Sequence, residues 1–99
     1  MVDDDIIDEL TVLFEKAGRA HHEAFIDAAG EDPEWPLWYS EYLVDKLNEL
    51  LTSQMTRSEL CYLLVTADRE RAALAPGSDW HGFFARFFAA LPGLRLTRS

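Results

Sequence analysis

His21 is the residue of this sequence whose type and position could most readily do chemistry. It lies among alanines on the apolar stripe of a predicted first helix. Counting from the predicted turns places three polar side chains at its height: Tyr39, Tyr42 and Glu70. A histidine flanked by tyrosine hydroxyls and a carboxylate could bind a small polar ligand or act as a general base. The alternative, which we favour, is a core histidine satisfied by hydrogen bonds, because no second strong catalytic group converges there.

The histidines and acids do not have the spacing of a metal site. His21 and His22 are adjacent, so their side chains point about 100° apart on a helix. Di-iron bundles carry Glu-x-x-His on two helices, and this motif is absent from the sequence. Four acids lie near two predicted helix starts, where capping explains them better than cation binding: Glu31, Asp32, Glu34 and Asp79. With no nucleotide-binding, zinc or triad motif either, we predict no metal, no cofactor and no enzymatic activity.

A tryptophan-led aromatic cluster occurs twice. Residues 35–43 read Trp-Pro-Leu-Trp-Tyr-Ser-Glu-Tyr-Leu, and residues 80–88 read Trp-His-Gly-Phe-Phe-Ala-Arg-Phe-Phe. Steps of three and four positions bring the aromatic side chains of each copy to one face of a helix. The pattern predicts two matching inner walls of one core, although such stripes could also line a flat ligand or a partner peptide.

The apolar periodicity predicts four helices, over about residues 5–29, 33–51, 57–75 and 79–91, with a tail at 92–99. Asp32 and Pro33 are the predicted N-cap and first residue of the second helix, and Thr56 with Glu59 has the spacing of a capping box. Gly18 is a point at which the long first helix could bend. Because the links are short, the predicted fold class is all-α, a single-domain up-down-up-down four-helix bundle that could consist of two similar hairpins.

Composition and charge restrict the classes of partner. The chain has 99 residues and a formal net charge of −9. Residues 1–49 hold 14 acidic and 3 basic residues, whereas residues 50–99 hold 4 acidic and 6 basic residues. Acidic surface repels phosphates, so we expect no direct nucleic-acid binding. No apolar run approaches the ~18 residues of a membrane span and the N-terminus is acidic, so we expect a soluble cytoplasmic protein without membrane contact. Cys61, the single cysteine, lies in an apolar run and is predicted to be buried.

Unequal helix lengths suggest where a partner would bind. The first predicted helix spans about 37 Å and the fourth about 20 Å. The end of the bundle far from the two tryptophan-led helix starts could therefore lack its fourth wall. The residues expected there are Ile6, Ile7, Leu51, Leu60 and Tyr62. Either the tail around residues 94–96 covers them or another chain does.

Three functions remain open at this level. The leading hypothesis is a non-enzymatic module that works by protein–protein contact and could form a homodimer. The second is small-ligand binding or weak catalysis in a bundle pocket around His21, which requires a pocket between the helices rather than a packed layer. The third is an acidic protein that mimics DNA and inhibits a nucleic-acid-binding protein; the basic C-terminal half speaks against it.

Two segments resemble a group of known sequences. His21-His22-x-x-Phe25, followed by Asp32-Pro33-Glu34-Trp35-Pro36-Leu37-Trp38-Tyr39, is similar to small bacterial all-helical proteins with a Pro-Glu-Trp-Pro-x-Trp-Tyr motif. The resemblance extends over about residues 10–90 and includes the stretch around Trp80. It implies an all-helical bacterial protein. Since that group has no assigned function, the resemblance gives no residue a role.

Overall fold

The computed structural model describes residues 4–77 and 79–91, and within these ranges the regular secondary structure is helical throughout. This part of the chain forms four α-helices: α1 (Asp4–Ala24), α2 (Trp35–Leu51), α3 (Arg57–Leu74) and α4 (Trp80–Ala89). A short 3₁₀ helix, Ile26–Ala28, follows α1. The all-α prediction is confirmed. The predicted tail, residues 92–99, lies outside the described residues.

The helices pack in pairs around one core. Helix α1 packs mainly on α4 and helix α2 on α3, and smaller contacts join α1 to α2 and α3 to α4. The largest fully buried side chains come from all four helices: Leu10, Phe14, Leu43, Leu47, Leu60, Leu64 and Phe88. The radius of gyration of 13.2 Å is close to the ~13 Å of a compact 100-residue domain. None of the helices in the described ranges combines the length and the apolar character needed to cross a bilayer.

Helix α1 ends at Ala24, five residues earlier than the sequence predicted. The carbonyl oxygen of Phe25 accepts hydrogen bonds from the backbone N–H groups of Ala28 (3.0 Å) and Gly30 (2.9 Å), which closes a turn. Ala29 (φ 58°) and Gly30 (φ 84°) then take left-handed conformations that reverse the chain. The apolar stripe extended the prediction to residue 29 because alanines 24 and 28 continue its period, yet both are exposed.

The start of α2 also differs from the prediction. The N-cap is Glu34, without a side-chain hydrogen bond, and Pro36 lies in the first turn, so the predicted roles of Asp32 and Pro33 are wrong. The Asp32 carboxylate is engaged elsewhere. Its Oδ1 accepts from the Glu34 backbone N–H (3.0 Å) and its Oδ2 accepts from the ring of His21 (3.1 Å). The carboxylate thus orders the turn that precedes α2, while the helix itself begins at Trp35.

Gly18 allows close packing between α1 and α4. Helix α1 stays helical through this position. A β-carbon added there would lie 3.1 Å from Cζ2 of Trp80, which is tighter than ordinary van der Waals contact. The glycine, considered in the sequence as a point of bending, thus lets the indole of Trp80 approach the α1 backbone.

The other helix starts follow the sequence. The predicted capping box of α3 is confirmed: Thr56 Oγ1 accepts from the Glu59 backbone N–H (3.1 Å), and Glu59 Oε1 accepts from the Thr56 backbone N–H (2.9 Å). Asp79 caps α4 by accepting from the Gly82 backbone N–H (3.4 Å). Trp35 and Trp80 are the first residues of α2 and α4.

Asn48 fixes the connection between α2 and α3. Its Oδ1 accepts hydrogen bonds from Ser53 Oγ (2.8 Å) and from the Met55 backbone N–H (2.9 Å), and its Nδ2 donates to the Met55 carbonyl (2.9 Å). Ser53 and Met55 are buried. Buried polar groups require hydrogen-bond partners, and the Asn48 amide alone supplies them to the Ser53 hydroxyl and to the Met55 backbone.

We expect Asn48→Ala to lower the free energy of unfolding by about 2 kcal/mol, because it leaves backbone groups of Met55 without partners. Urea denaturation followed by circular dichroism measures the change. The exposed neighbour Glu49 provides the control, since Glu49→Ala should change the free energy by less than about 0.5 kcal/mol. Equal effects of the two substitutions would contradict the role assigned to Asn48.

Candidate functional site

A cavity lies between the four helices, near the starts of α2 and α4. Its volume is about 180 Å³, and we call it the central cavity. Every helix contributes to its lining, which consists of Phe14, Trp35, Tyr39, Leu64, Asp68, Arg71, Trp80 and Phe84. Five of these eight side chains are aromatic, so the walls are mainly flat apolar surface. Such a concave, largely apolar space with a few polar groups is the usual form of a small-molecule site.

The aromatic repeat supplies equivalent positions to the central cavity. Trp35 and Trp80 are the first residues of the two copies, and Tyr39 and Phe84 are the fifth. All four line the same cavity. The repeat predicted that the two copies form matching inner walls. At the first and fifth positions of the repeat, both walls face the central cavity.

Edge-to-face contacts hold the aromatic walls. The Trp80 ring has three nearly perpendicular neighbours: Phe84 at 5.3 Å and 78°, Tyr39 at 5.8 Å and 76°, and Phe14 at 6.1 Å and 71° between ring centroids and planes. Trp35 meets Tyr39 in the same way, at 6.0 Å and 75°. Each contact of this kind adds about 0.5–1.5 kcal/mol beyond the burial of area. The rings are therefore fixed in orientation, and so is the shape of the cavity.

Two charged side chains of α3 enter this apolar lining. Leu64, Asp68 and Arg71 follow one another at steps of four and three, so they share a face of the helix. Arg71 Nη2 donates to Asp68 Oδ1 at 3.3 Å. The side chain of Arg71 is 23% exposed and that of Asp68 is 42% exposed.

The Nε–H of Arg71 is buried and has no hydrogen-bond acceptor within residues 4–77 and 79–91. Leaving such a donor unsatisfied costs about 1–3 kcal/mol, and more for a charged group. Because this N–H is buried, it is not part of the accessible wall of the central cavity, to which Arg71 contributes other atoms.

His21 is buried on the other side of the aromatic wall. Its Nε2–H donates to Asp32 Oδ2 (3.1 Å), because a carboxylate can only accept, and both side chains are at most 10% exposed. The imidazole stacks on Tyr39 at 4.7 Å and 20°, and it also contacts the rings of Phe25 and Trp38. These partners leave His21 ordered and hydrogen-bonded.

Tyr39 lies between the His21–Asp32 pair and the Asp68–Arg71 pair, and its pKa is shifted by this environment. Burial, and secondarily the negative charge of Asp32, raise the pKa of Tyr39 from 10.0 to about 12. The hydroxyl is therefore neutral throughout the physiological range. A raised pKa favours the folded state below pH 10, and this contribution is lost as the pH rises towards 12.

The other two residues of the predicted ligand site lie apart from His21. Tyr42 stacks on Trp38 at 5.2 Å and 12°, and the Nζ of Lys46 lies 4.3 Å from its ring centroid. Glu70 is exposed. Of the predicted set, the structure thus brings together His21 and Tyr39. The neighbour of Glu70, Arg71, is the charged residue of α3 that lines the central cavity.

All three histidines of the chain line one open groove on the surface, which we call the histidine groove. Its volume is about 670 Å³, and Tyr39 and Trp80 line it as well as the central cavity. At its rim, the His81 ring donates to Asp79 (2.7 Å), and this hydrogen bond is the main cause of a lowered pKa of Asp79. No group of three His, Cys, Asp or Glu side chains suited to a metal ion occurs in the described ranges.

The five residues of the predicted interface differ in their exposure. Leu60 is fully buried within the chain, so it offers no area to a partner. Ile6, Ile7 and Leu51 are half-buried and pack against the core. Tyr62 is 71% exposed.

Cys61 is half-buried rather than fully buried. Its Sγ lies 3.2 Å from Ser40 Oγ and 3.3 Å from the carbonyl oxygen of Pro36, so the thiol joins α3 to the start of α2. This contact is between helices, and it gives the thiol no reactive partner.

We expect Asp32→Asn to lower the pKa of Tyr39 while leaving it above 10, because burial is the larger of the two causes. Ultraviolet titration of the phenolate, with Tyr39→Phe subtracted to remove the other two tyrosines, measures the shift. Glu41→Gln on the exposed face of α2 is the control and should leave the titration unchanged. An unchanged pKa in Asp32→Asn would show that the carboxylate does not act on Tyr39.

No protein-family model, curated protein or solved structure matches the chain. The resemblance to bacterial proteins with the Pro-Glu-Trp-Pro-x-Trp-Tyr motif stays a prediction.

Proposed function

We propose that this chain is a non-enzymatic binding module that takes one small, ring-sized molecule into the central cavity. The observation that carries the proposal is the lining itself. Five oriented aromatic rings and the Asp68–Arg71 ion pair surround a space of about 180 Å³. The space is partly open to solvent, so a small flat molecule could enter between its mainly apolar walls.

The size of the cavity indicates the size of the ligand. An apolar cavity of about 150 Å³ is known to stay dry and to bind benzene. A cavity of about 180 Å³ has room for one aromatic ring with a small substituent. Flat ligands also match the walls, since aromatic rings contact one another favourably by their faces and edges.

The position of His21 supports binding without catalysis. His21 lines the histidine groove, and its imidazole lies against the outer side of Tyr39. The ionisable groups that line the central cavity are Tyr39, Asp68 and Arg71. Tyr39 is neutral, and one carboxylate oxygen of Asp68 accepts from Arg71. The proposal of binding without catalysis therefore rests on the apolar character of the lining.

The up-down-up-down arrangement with two similar hairpins is part of the same proposal. Contacts of each helix with two neighbours, α1 with α4 and α2, and α3 with α2 and α4, support the bundle. The likeness of the hairpins is supported by the equivalent positions that the two aromatic copies supply to one cavity. A cytoplasmic location and a bacterial source remain predictions from the sequence.

Protein–protein contact is the second candidate, and the exposed ring of Tyr62 favours it. A homodimer would cover this ring and the half-buried isoleucines of α1. Sedimentation velocity at micromolar concentration decides: a monomer rules the homodimer out. The DNA-mimic alternative has a row of exposed acids on α1 in its favour, including Asp8, Glu9 and Glu23, and it stays a prediction.

We expect toluene to bind in the central cavity and to raise the melting temperature by several degrees at ten times its dissociation constant, where the stabilisation is about 1.4 kcal/mol. In ¹H–¹⁵N spectra, the indole resonances of Trp35 and Trp80 should shift, whereas that of Trp38, which does not line the cavity, should not.

Two variants of α3 test whether toluene binds in the central cavity and not elsewhere. Leu64→Trp fills the cavity and should abolish both effects, while Tyr62→Trp adds the same side chain at an exposed position and should bind toluene like the wild type. Absence of any indole shift in the wild type would overturn the proposal, and this result does not depend on the folding of either variant.

A further inference from the structure

A groove with an apolar floor lies between α1 and α2. Its volume is about 430 Å³, and we call it the α1–α2 groove. Its apolar side chains are Val12 and Leu13 of α1 and Leu50 of α2. Val12 is 47% exposed, and the other two are half-buried. The groove shares no lining residue with the central cavity, so its role does not depend on the ligand of that cavity.

We propose that the α1–α2 groove binds the same groove of a second copy of this chain. The two copies are related by a half-turn about an axis that crosses α1 at Val12, so each helix lies antiparallel to its counterpart. The arrangement of charge around the apolar floor carries the proposal. None of the five residues predicted from the sequence as an interface lines this groove.

On α1, the charges that line the groove are separated by sign. Asp8 and Glu9 lie towards the start of the helix, and Lys16 lies beyond Val12. Positions 8 and 16 are each four residues from Val12, so the three side chains share one face of the helix. A half-turn at Val12 therefore places Lys16 opposite the partner's Asp8, with the partner's Glu9 beside it. Val12 itself meets the partner's Val12 at the axis.

The contacts between the two helices fix the height of α2 beside α1. The ring of His21 stacks on that of Tyr39, whereas residues 8–16 share the groove with residues 46–50. The two helices therefore run in opposite directions. Nine residues back from His21 is Val12, and nine residues on from Tyr39 is position 48. Position 48 of α2 thus lies at about the height of Val12.

Helix α2 carries charges of opposite sign around the same height. Lys46 and Glu49 line the groove, and their midpoint falls between positions 47 and 48. This midpoint is within one residue of the level of Val12, which corresponds to about 1.5 Å along the helix. The same half-turn therefore brings Lys46 opposite the partner's Glu49. Both helices thus place the centre of their charge pattern on one axis.

The other orientation of the second copy would bring like charges together. A half-turn about an axis along the groove would lay α1 parallel to the partner's α2. The partner's Lys46 would then lie near Lys16, and the partner's Glu49 near Glu9. Since like charges that face each other across an interface cost free energy, the antiparallel arrangement is the favoured one.

The dimer must form against a formal net charge of −9 on each copy. At physiological ionic strength the Debye length is about 8 Å, so the overall repulsion is largely screened while charges in contact still interact. Charges at the rim of an interface determine orientation more than affinity. Because each copy contributes only three apolar side chains from the groove, we expect an interface at the small end of the usual range and a dimer that dissociates readily.

Sedimentation equilibrium of the full chain at about 0.15 M salt, over roughly 10 to 500 µM protein, measures the association. The wild type should dimerise reversibly in this range. Lys16→Glu and Asp8→Lys each place like charges in contact twice per dimer, so each should weaken the dimer about tenfold. Arg69→Glu and Glu70→Lys make the same changes of charge on the exposed side of α3 and should dimerise like the wild type.

An equimolar mixture of the Lys16→Glu and Asp8→Lys variants tests the geometry directly. In a mixed dimer, the new glutamate at position 16 faces the new lysine at position 8, and the other contact keeps its natural pair. The mixture should therefore dimerise within about threefold of the wild-type affinity, although each variant alone dimerises weakly. Both positions are exposed, so circular dichroism should show the helix content and melting of the wild type.

Three results would overturn the proposal. The first is a wild type that stays monomeric over the whole range, and this result depends on no variant. The second is a dimer that keeps its affinity after Lys16→Glu and Asp8→Lys, since its contact would then lie on another face, such as that of Tyr62. The third is a mixture of the two folded variants that dimerises no more tightly than either alone, which contradicts the antiparallel pairing.

Discussion

The perpendicular packing of aromatic rings is the constraint on which the structure depends. Trp80 meets Phe14, Tyr39 and Phe84 edge to face, at angles between 71° and 78°. Flat rings held at right angles gain from their quadrupoles. The same rings line the central cavity, so the contacts that hold the helices together also form its walls.

Two polar pairs lie on opposite sides of the wall that Tyr39 and Trp80 form. Arg71 and its partner carboxylate face the central cavity, and His21 with Asp32 lies on the side of the histidine groove. Each pair brings ionisable groups into a largely apolar environment, where partners are required. The pair of His21 is almost fully buried, whereas that of Arg71 is partly exposed and leaves the buried Nε–H without an acceptor in the described ranges.

The sequence predicted what depends on local spacing and left open what depends on packing. Helix formers, apolar period and the capping box of Thr56 gave four helices because these signals act within a few residues. Asp32 was misassigned because the chain makes one more turn before α2. Its carboxylate bonds to the Glu34 N–H in that turn and to His21, eleven positions away, and the helix begins only at Trp35. Glu70 was predicted to lie near His21, but it is exposed, and its neighbour Arg71 lines the central cavity. Consecutive helical residues differ by about 100°, and only the packing of α3 decides which of them points inward.

Gly18 does not line the central cavity, but it affects the position of Trp80, which does. In the middle of α1 glycine is less favourable than alanine by about 1 kcal/mol, so helix formation alone would disfavour it. Any β-carbon there would lie only 3.1 Å from the Trp80 indole. An indole that moved away from α1 to relieve this contact would narrow the central cavity, which it lines on its other side. The width of the central cavity thus depends on residue 18, because glycine has a hydrogen atom where every other residue has a β-carbon.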